Sequence, residues 1–222
     1  MSFSRIFDQA SARKGGEAAL RSLLPPVAEP GQLEARSDDR YLSEMTRCIF
    51  KAGFVWRIIE HKWPDFEAAF QGFVPLYWQQ VPPEVLEDMA RDERIVRNMQ
   101  KIRTVPENAR MIVDATYEHG SFGAFLSQWP SDDQAGLLLW LKRNGARLGG
   151  NSAQYFLRRT GWDGFILSTD VITALHREKL MDATPTSKKG LVQAQEAFNA
   201  WHRETGLPYS HLSRILSFTV SG

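Results

Sequence analysis

Apolar residues recur at helical spacing through almost the whole chain, and alternating, strand-like runs are hard to find. Leu42, Met45, Ile49 and Ala52 fall on one helical stripe, as do Leu191, Ala194, Phe198 and Trp201. Prolines then limit how far any helix can run, because an interior proline removes a backbone donor and clashes with the preceding turn. Breakers stand at Leu24-Pro25-Pro26, Glu29-Pro30-Gly31, Trp63-Pro64, Val81-Pro82-Pro83, Val105-Pro106, Trp129-Pro130 and Pro185. An all-α protein of many short helices is expected, with Pro64 and Pro82 or Pro83 in first turns.

The same punctuation predicts three regions. Residues 1–37 hold an N-terminal helix near Ala12 to Leu24 and a connector, Pro25 to Ser37, rich in Pro, Gly and charge. Residues 38–182 form the helical body. Residues 183–222 begin with an exposed stretch, Ala183 to Gly190, and close with a helix pair, about Leu191 to Thr205 and Tyr209 to Ser217, split by Gly206 and Pro208.

Bulk properties exclude several classes. A net charge of +1 over 222 residues rules out a bulk polybasic binder, so any nucleic-acid surface must be local. The single cysteine, Cys48, excludes an internal disulfide and a Cys-rich zinc cluster. No run of ~18 apolar residues exists and the start lacks a signal-peptide core, so a cytoplasmic protein with no membrane segment is expected.

Two stretches carry chemistry. The first is Gly145-Ala146-Arg147-Leu148-Gly149-Gly150-Asn151-Ser152-Ala153, followed by Ser168-Thr169-Asp170-Val171. Glycine has no Cβ to hold an anion away, so the amides of Gly149, Gly150, Asn151 and Ser152 at a helix start suit a phosphate. An acid opening the next helix, Asp170, suits a sugar that develops positive charge. This layout resembles the helix-hairpin-helix DNA glycosylases.

The second stretch reads Asp39-Arg40-Tyr41-Leu42-Ser43-Glu44-Met45, then Ala52-Gly53-Phe54-Val55-Trp56, Phe66-Glu67-Ala68-Ala69-Phe70-Gln71-Gly72-Phe73, Ile95-Val96-Arg97-Asn98-Met99-Gln100-Lys101-Ile102 and Asn108-Ala109-Arg110. In order and spacing it is similar to the 3-methyladenine DNA glycosylase I family, from about Asp39 to Leu175. The resemblance implies a two-lobed helix-hairpin-helix fold that binds double-stranded DNA with alkylated bases. It implies a base pocket at Gly53, Phe54 and Trp56, with Trp56 as stacking face, and hydrolysis of the N-glycosidic bond of 3-methyladenine with no cofactor. The partner is DNA alone, and a monomer is expected. Arg97 and Lys101, four apart and read as one helix face, would contact phosphates, as would Arg143, Arg147, Arg158 and Arg159 around the hairpin.

The departures bear on mechanism. Cys48 stands where the family has a Glu that hydrogen-bonds the base, and a thiol is a weak donor and acceptor. The family's two Cys and two His for zinc have no counterpart, and no metal site is expected. Arg147 occupies the position of the first hairpin glycine. Asn151 stands where lyase members of the wider superfamily keep a nucleophilic Lys, so no Schiff base and no strand cleavage are expected. Asp170 lies near the superfamily's catalytic acid, one residue further from Ala153 than usual.

Each of these residues also has a plainer reading. Gly53 serves equally as a helix stop, Phe54 and Trp56 as core, Gly149-Gly150 as a breaker, Cys48 as a buried thiol, Asp170 as a first-turn acid and Arg97 with Lys101 as a solvated face. Rival functions follow: a relative without catalysis that recognises distorted duplex, a helical interaction protein built around Phe198, Trp201 and Tyr209, or an enzyme for another damaged base.

Overall fold

The computed structural model describes residues 2–27, 29 and 31–220, and among them every regular element is a helix. Pro30, one of the expected breakers, lies outside the described residues, as do Met1, Ala28, Ser221 and Gly222. In chain order the helices are α1 (Phe3–Lys14), α2 (Glu17–Ser22), α3 (Asp38–Lys51), α4 (Trp56–Ala69), a 3-10 turn (Gln71–Phe73), α5 (Pro75–Trp78), α6 (Pro83–Met89), α7 (Met99–Ile102) and α8 (Thr104–His119). There follow α9 (Phe122–Gln128), α10 (Gln134–Asn144), α11 (Asn151–Thr160), α12 (Thr169–Arg177), α13 (Lys188–Thr205) and α14 (Tyr209–Ser217). The all-α expectation holds, and no helix of the described residues is long and apolar enough to cross a membrane.

Local chemistry explains many of the boundaries. Ser121, Asp133, Ser168 and Ser187 each accept from a backbone amide three residues on, which satisfies a donor that the first helical turn leaves open. Pro83 sits in the first turn of α6, where its missing N–H costs nothing. Pro64 does not behave as expected. It is the ninth residue of α4, too late for a first turn, and the packing of Trp63 and Phe66 carries the helix across it. The N-terminal helix also differs from expectation: Gly15 and Gly16, both at positive φ, divide it into α1 and α2.

α3 is the hub. It packs on α4, α8 and α11, and it is buried on nearly every side, including the polar Ser43, Glu44, Thr46 and Lys51. Beneath it Trp63, Phe66, Phe70 and Phe73 form a near-parallel ladder, with Trp63 and Phe66 centroids 4.9 Å apart. On the other side α13 packs on α10 and α1, and α14 packs on α1, α12 and α13. Most of the seven tryptophans are therefore ordinary core or half-buried residues. Trp56 is the exception, 48% exposed at the start of α4.

Candidate active site

Two helix ends meet where α3 packs on α11. α3 stops at Lys51, Ala52 is extended, and Gly53 turns the chain at φ +73, a conformation that side chains rarely tolerate. The chain re-enters a helix at Trp56. This turn leaves Phe54, Val55 and Trp56 projecting into solvent, 42, 61 and 48% exposed. Lys101 fixes it from below: its ammonium donates to the carbonyls of Phe50 and Ala52 at 3.0 and 2.6 Å and lies 4.9 Å from the Phe54 ring centroid. Burial, and the nearby charge of Arg147, push the Lys101 pKa down.

Opposite stands the hairpin between α10 and α11. Leu148 is buried at its tip, and the fully buried Asn108 clamps it, accepting from the Ala146 amide at 2.8 Å and donating to the Ala146 carbonyl at 3.3 Å. Gly145 is required there, since a Cβ would fall 2.9 Å from Asn108 Oδ1 and 2.6 Å from a Leu148 methyl. Arg147 adopts φ +57, the left-handed region, so the position aligned with the first hairpin glycine keeps a glycine-like backbone with an arginine side chain. Its guanidinium donates to Gln100 at 2.6 Å. The amides of Gly149, Gly150, Asn151 and Ser152 have no hydrogen-bond acceptor among the described residues.

Between the two ends lies a cleft of about 460 Å³, lined by Cys48, Lys51, Ala52, Gly53, Trp56, Asn151, Ser152, Tyr155 and Arg159. Trp56 and Tyr155 meet edge to face at 5.1 Å, and the Lys51 ammonium lies 5.4 Å from the indole centroid. Trp56, Gly53, Cys48, Asn151 and Ser152, singled out in the sequence, are thus brought to one place. Phe54 projects beside it.

The wall beneath the cleft is an ion network that the sequence did not reveal. Glu60 binds Lys51 and lies 3.4 Å from Arg159; Glu44 binds Arg159 and lies 3.3 Å from Arg47. The Cys48 thiol donates to Glu44 at 3.7 Å. Burial, then the Glu44 charge, push its pKa up to about 12, so it is a neutral thiol. Burial alone would raise the Glu60 pKa, but the Lys51 hydrogen bond and the charges of Lys51, Arg47 and Arg159 outweigh it and hold it low. The i, i+4 pairs Glu44–Cys48 and Arg47–Lys51 were the available signal, while Glu60 and Arg159 join through tertiary packing.

Other expected residues fall elsewhere. Arg97 and Lys101 do not share a helix face: α7 begins only after Asn98, whose side chain caps it by accepting from the Lys101 amide, and Arg97 lies outside the helix beside Glu93. Asp170 is the second residue of α12, half-buried, with no hydrogen bond or ion pair among the described residues, and does not line the Trp56 cleft. Among the described residues no three His, Cys, Asp or Glu side chains are grouped to hold a metal.

The comparisons complete this geometry. Residues 31–136 match the family described as methyladenine glycosylase. The methyladenine glycosylase match ends within α10, short of the hairpin and of the Leu175 limit read from the sequence. A solved 3-methyladenine DNA glycosylase I is 20% identical, with a TM-score of 0.51 over 65% of this chain and 87% of its own. Another, from Staphylococcus aureus and solved for 3-methyladenine recognition, is 19% identical with a TM-score of 0.51 over 71% and 92%. An 8-oxoguanine glycosylase/lyase from Methanocaldococcus jannaschii, solved with a 15mer DNA containing 8-oxoguanine, is 14% identical with a TM-score of 0.55 over 96% of both chains. No curated protein sequence matches. The fold is thus that of the helix-hairpin-helix glycosylases, and the part beyond residue 136 has its fold counterpart in the Methanocaldococcus jannaschii structure.

Proposed function

We propose that this chain is a monofunctional DNA glycosylase, acting in the cytoplasm as a monomer, that draws a damaged purine from duplex DNA into the Trp56 cleft and hydrolyses its N-glycosidic bond. The observation that carries this reading is the half-exposed indole facing the hairpin helix across one cleft. Extruding a base costs a few kcal/mol, and stacking on an aromatic ring returns about 1–3 kcal/mol. The unpaired amides of Gly149, Gly150, Asn151 and Ser152 offer donors to a backbone phosphate, with the α11 dipole favouring negative charge. Arg147 and the exposed Arg97 supply further positive charge.

The substrate class that the family resemblance favours is an alkylated purine such as 3-methyladenine. Its positive charge makes it a good leaving group, so the protein needs only to orient water and stabilise the sugar cation. Asp170 is the acid proposed for that role. The sugar of an extruded nucleotide stays outside the base cleft, so an acid acting on C1′ need not line it. Asn151 has no amine for a Schiff base. Lys51, which does line the cleft, holds Glu60.

The neutral Cys48 thiol, where the family has a Glu, favours a second reading: a relative that binds distorted duplex without turnover. Binding and base release measured on one alkylated duplex, with EDTA present, separate the two. Release of free base supports the enzyme, and tight binding without release supports the recognition protein.

A further inference from the structure

A second cleft, about 340 Å³, lies on the other side of Tyr155, between α11, α12 and α14. Tyr155 lines both clefts, and the second also holds Arg158, Ser168, Ser213, Arg214 and Ser217, with no acid among its lining residues. Among the described residues neither guanidinium makes an ion pair. Arg158 donates to the Gly164 carbonyl at 2.5 Å and to Ser213 Oγ at 2.9 Å, and its buried Nε has no acceptor. The Arg214 guanidinium packs 4.3 Å from the Phe218 ring centroid and makes no ion pair or hydrogen bond among the described residues; its backbone carbonyl accepts from the Ser217 hydroxyl. The acid nearest in effect, Asp163, is committed elsewhere: its two oxygens accept from the Tyr209 and Ser210 amides at 2.9 Å, capping α14.

A largely buried cation without a carboxylate is unfavourable unless a ligand supplies the charge. Burial pushes the Arg158 pKa down to about 10, with Asp163 and Tyr155 opposing the shift and Arg214 adding to it. Among the described residues three donors have no acceptor: the Arg214 guanidinium, the Tyr155 hydroxyl and the Ser168 hydroxyl, whose oxygen accepts from the Val171 amide.

We propose that this second cleft is a phosphate site, built on Arg158 and Arg214 and filled by a backbone phosphate of the DNA strand that enters the Trp56 cleft. The DNA part rests on the glycosylase reading; the phosphate chemistry does not. The Tyr155 wall makes the two sites neighbours, and arginine paired with hydroxyl donors matches a tetrahedral oxyanion.

The test uses the full chain and Arg214→Gln, a surface change that spares the core. With ionic strength held constant, inorganic phosphate should raise the wild-type melting temperature saturably and leave the variant unmoved. On undamaged duplex, the variant should bind more weakly with a salt slope smaller by about 0.9, the loss of one phosphate contact. Ser168→Ala should weaken phosphate binding in the same direction. Equal phosphate responses in wild type and Arg214→Gln would overturn the site. A lost phosphate response with an unchanged salt slope would overturn the DNA assignment in favour of a small phosphorylated ligand. If no duplex binds at all, the glycosylase reading fails while the inorganic phosphate arm still decides this site.

Discussion

The Lys101 ammonium lies 2.6 Å from the carbonyl oxygen of Ala52, inside the protein and not toward solvent. With its second bond to Phe50 it closes the C-terminus of α3, where the helix dipole favours a cation. Its neighbour Gln100 holds Arg147 of the hairpin. One four-residue helix thus ties the Trp56 turn to the hairpin between α10 and α11.

Lys101→Met should therefore cost stability, about 1–3 kcal/mol for buried carbonyls left unpaired, measured by urea unfolding. Base release should fall more than duplex affinity. A variant of normal stability whose salt slope drops by about one would mean that the ammonium contacts phosphate instead.

Trp56→Ala should leave the fold intact, because the indole is half-exposed, and should remove about 1–3 kcal/mol of stacking. The check is discrimination between lesion-bearing and intact duplex, which should shrink by roughly 5- to 140-fold. An unchanged ratio would place the base elsewhere.

The Cys48 thiol, pushed up to about 12, should resist alkylating reagents at neutral and mildly alkaline pH in the folded protein. Because the folded value exceeds the ordinary 9.0, folding favours the protonated thiol: that contribution is complete below about pH 9 and is lost as pH rises toward 12. Cys48→Ala should flatten this alkaline loss. Rapid labelling of the native wild type at pH 8 would contradict the assignment.

Glu67 accepts from Arg40 at 3.0 and 2.9 Å, from Trp63 at 3.0 Å and from Ser43. Burial would raise its pKa, but these bonds and the Arg40 charge hold it below 4.5. A depressed acid stabilises the fold above its unfolded value, and the effect disappears as pH falls through the folded one. Unfolding free energy measured from pH 5 to pH 3 should therefore fall less steeply in Glu67→Gln than in wild type.

Helix content was legible because it depends on apolar spacing and caps, which are local: α13 and α14 begin within three residues of their expected starts. The Trp56 turn and the hairpin were legible as motifs. Interruptions decided by packing were not, as in Pro64, carried through α4 by the aromatic ladder, and Arg97, cut off from Lys101 by the Asn98 cap. The roles of long charged side chains were the least legible. Arg159 was grouped with phosphate contacts, yet it binds Glu44, 115 positions away in sequence. Only tertiary packing makes that pair, and it leaves Arg158, the adjacent residue, facing a different cleft.

The most direct test is a single-turnover time course on an N-methylated duplex, following free 3-methyladenine by chromatography and strand length by gel, for wild type, Trp56→Ala and Asp170→Asn. The account predicts release by the wild type with the strand intact until alkali treatment, and slower release by both variants. Wild-type protein that binds the duplex but frees no base would contradict it.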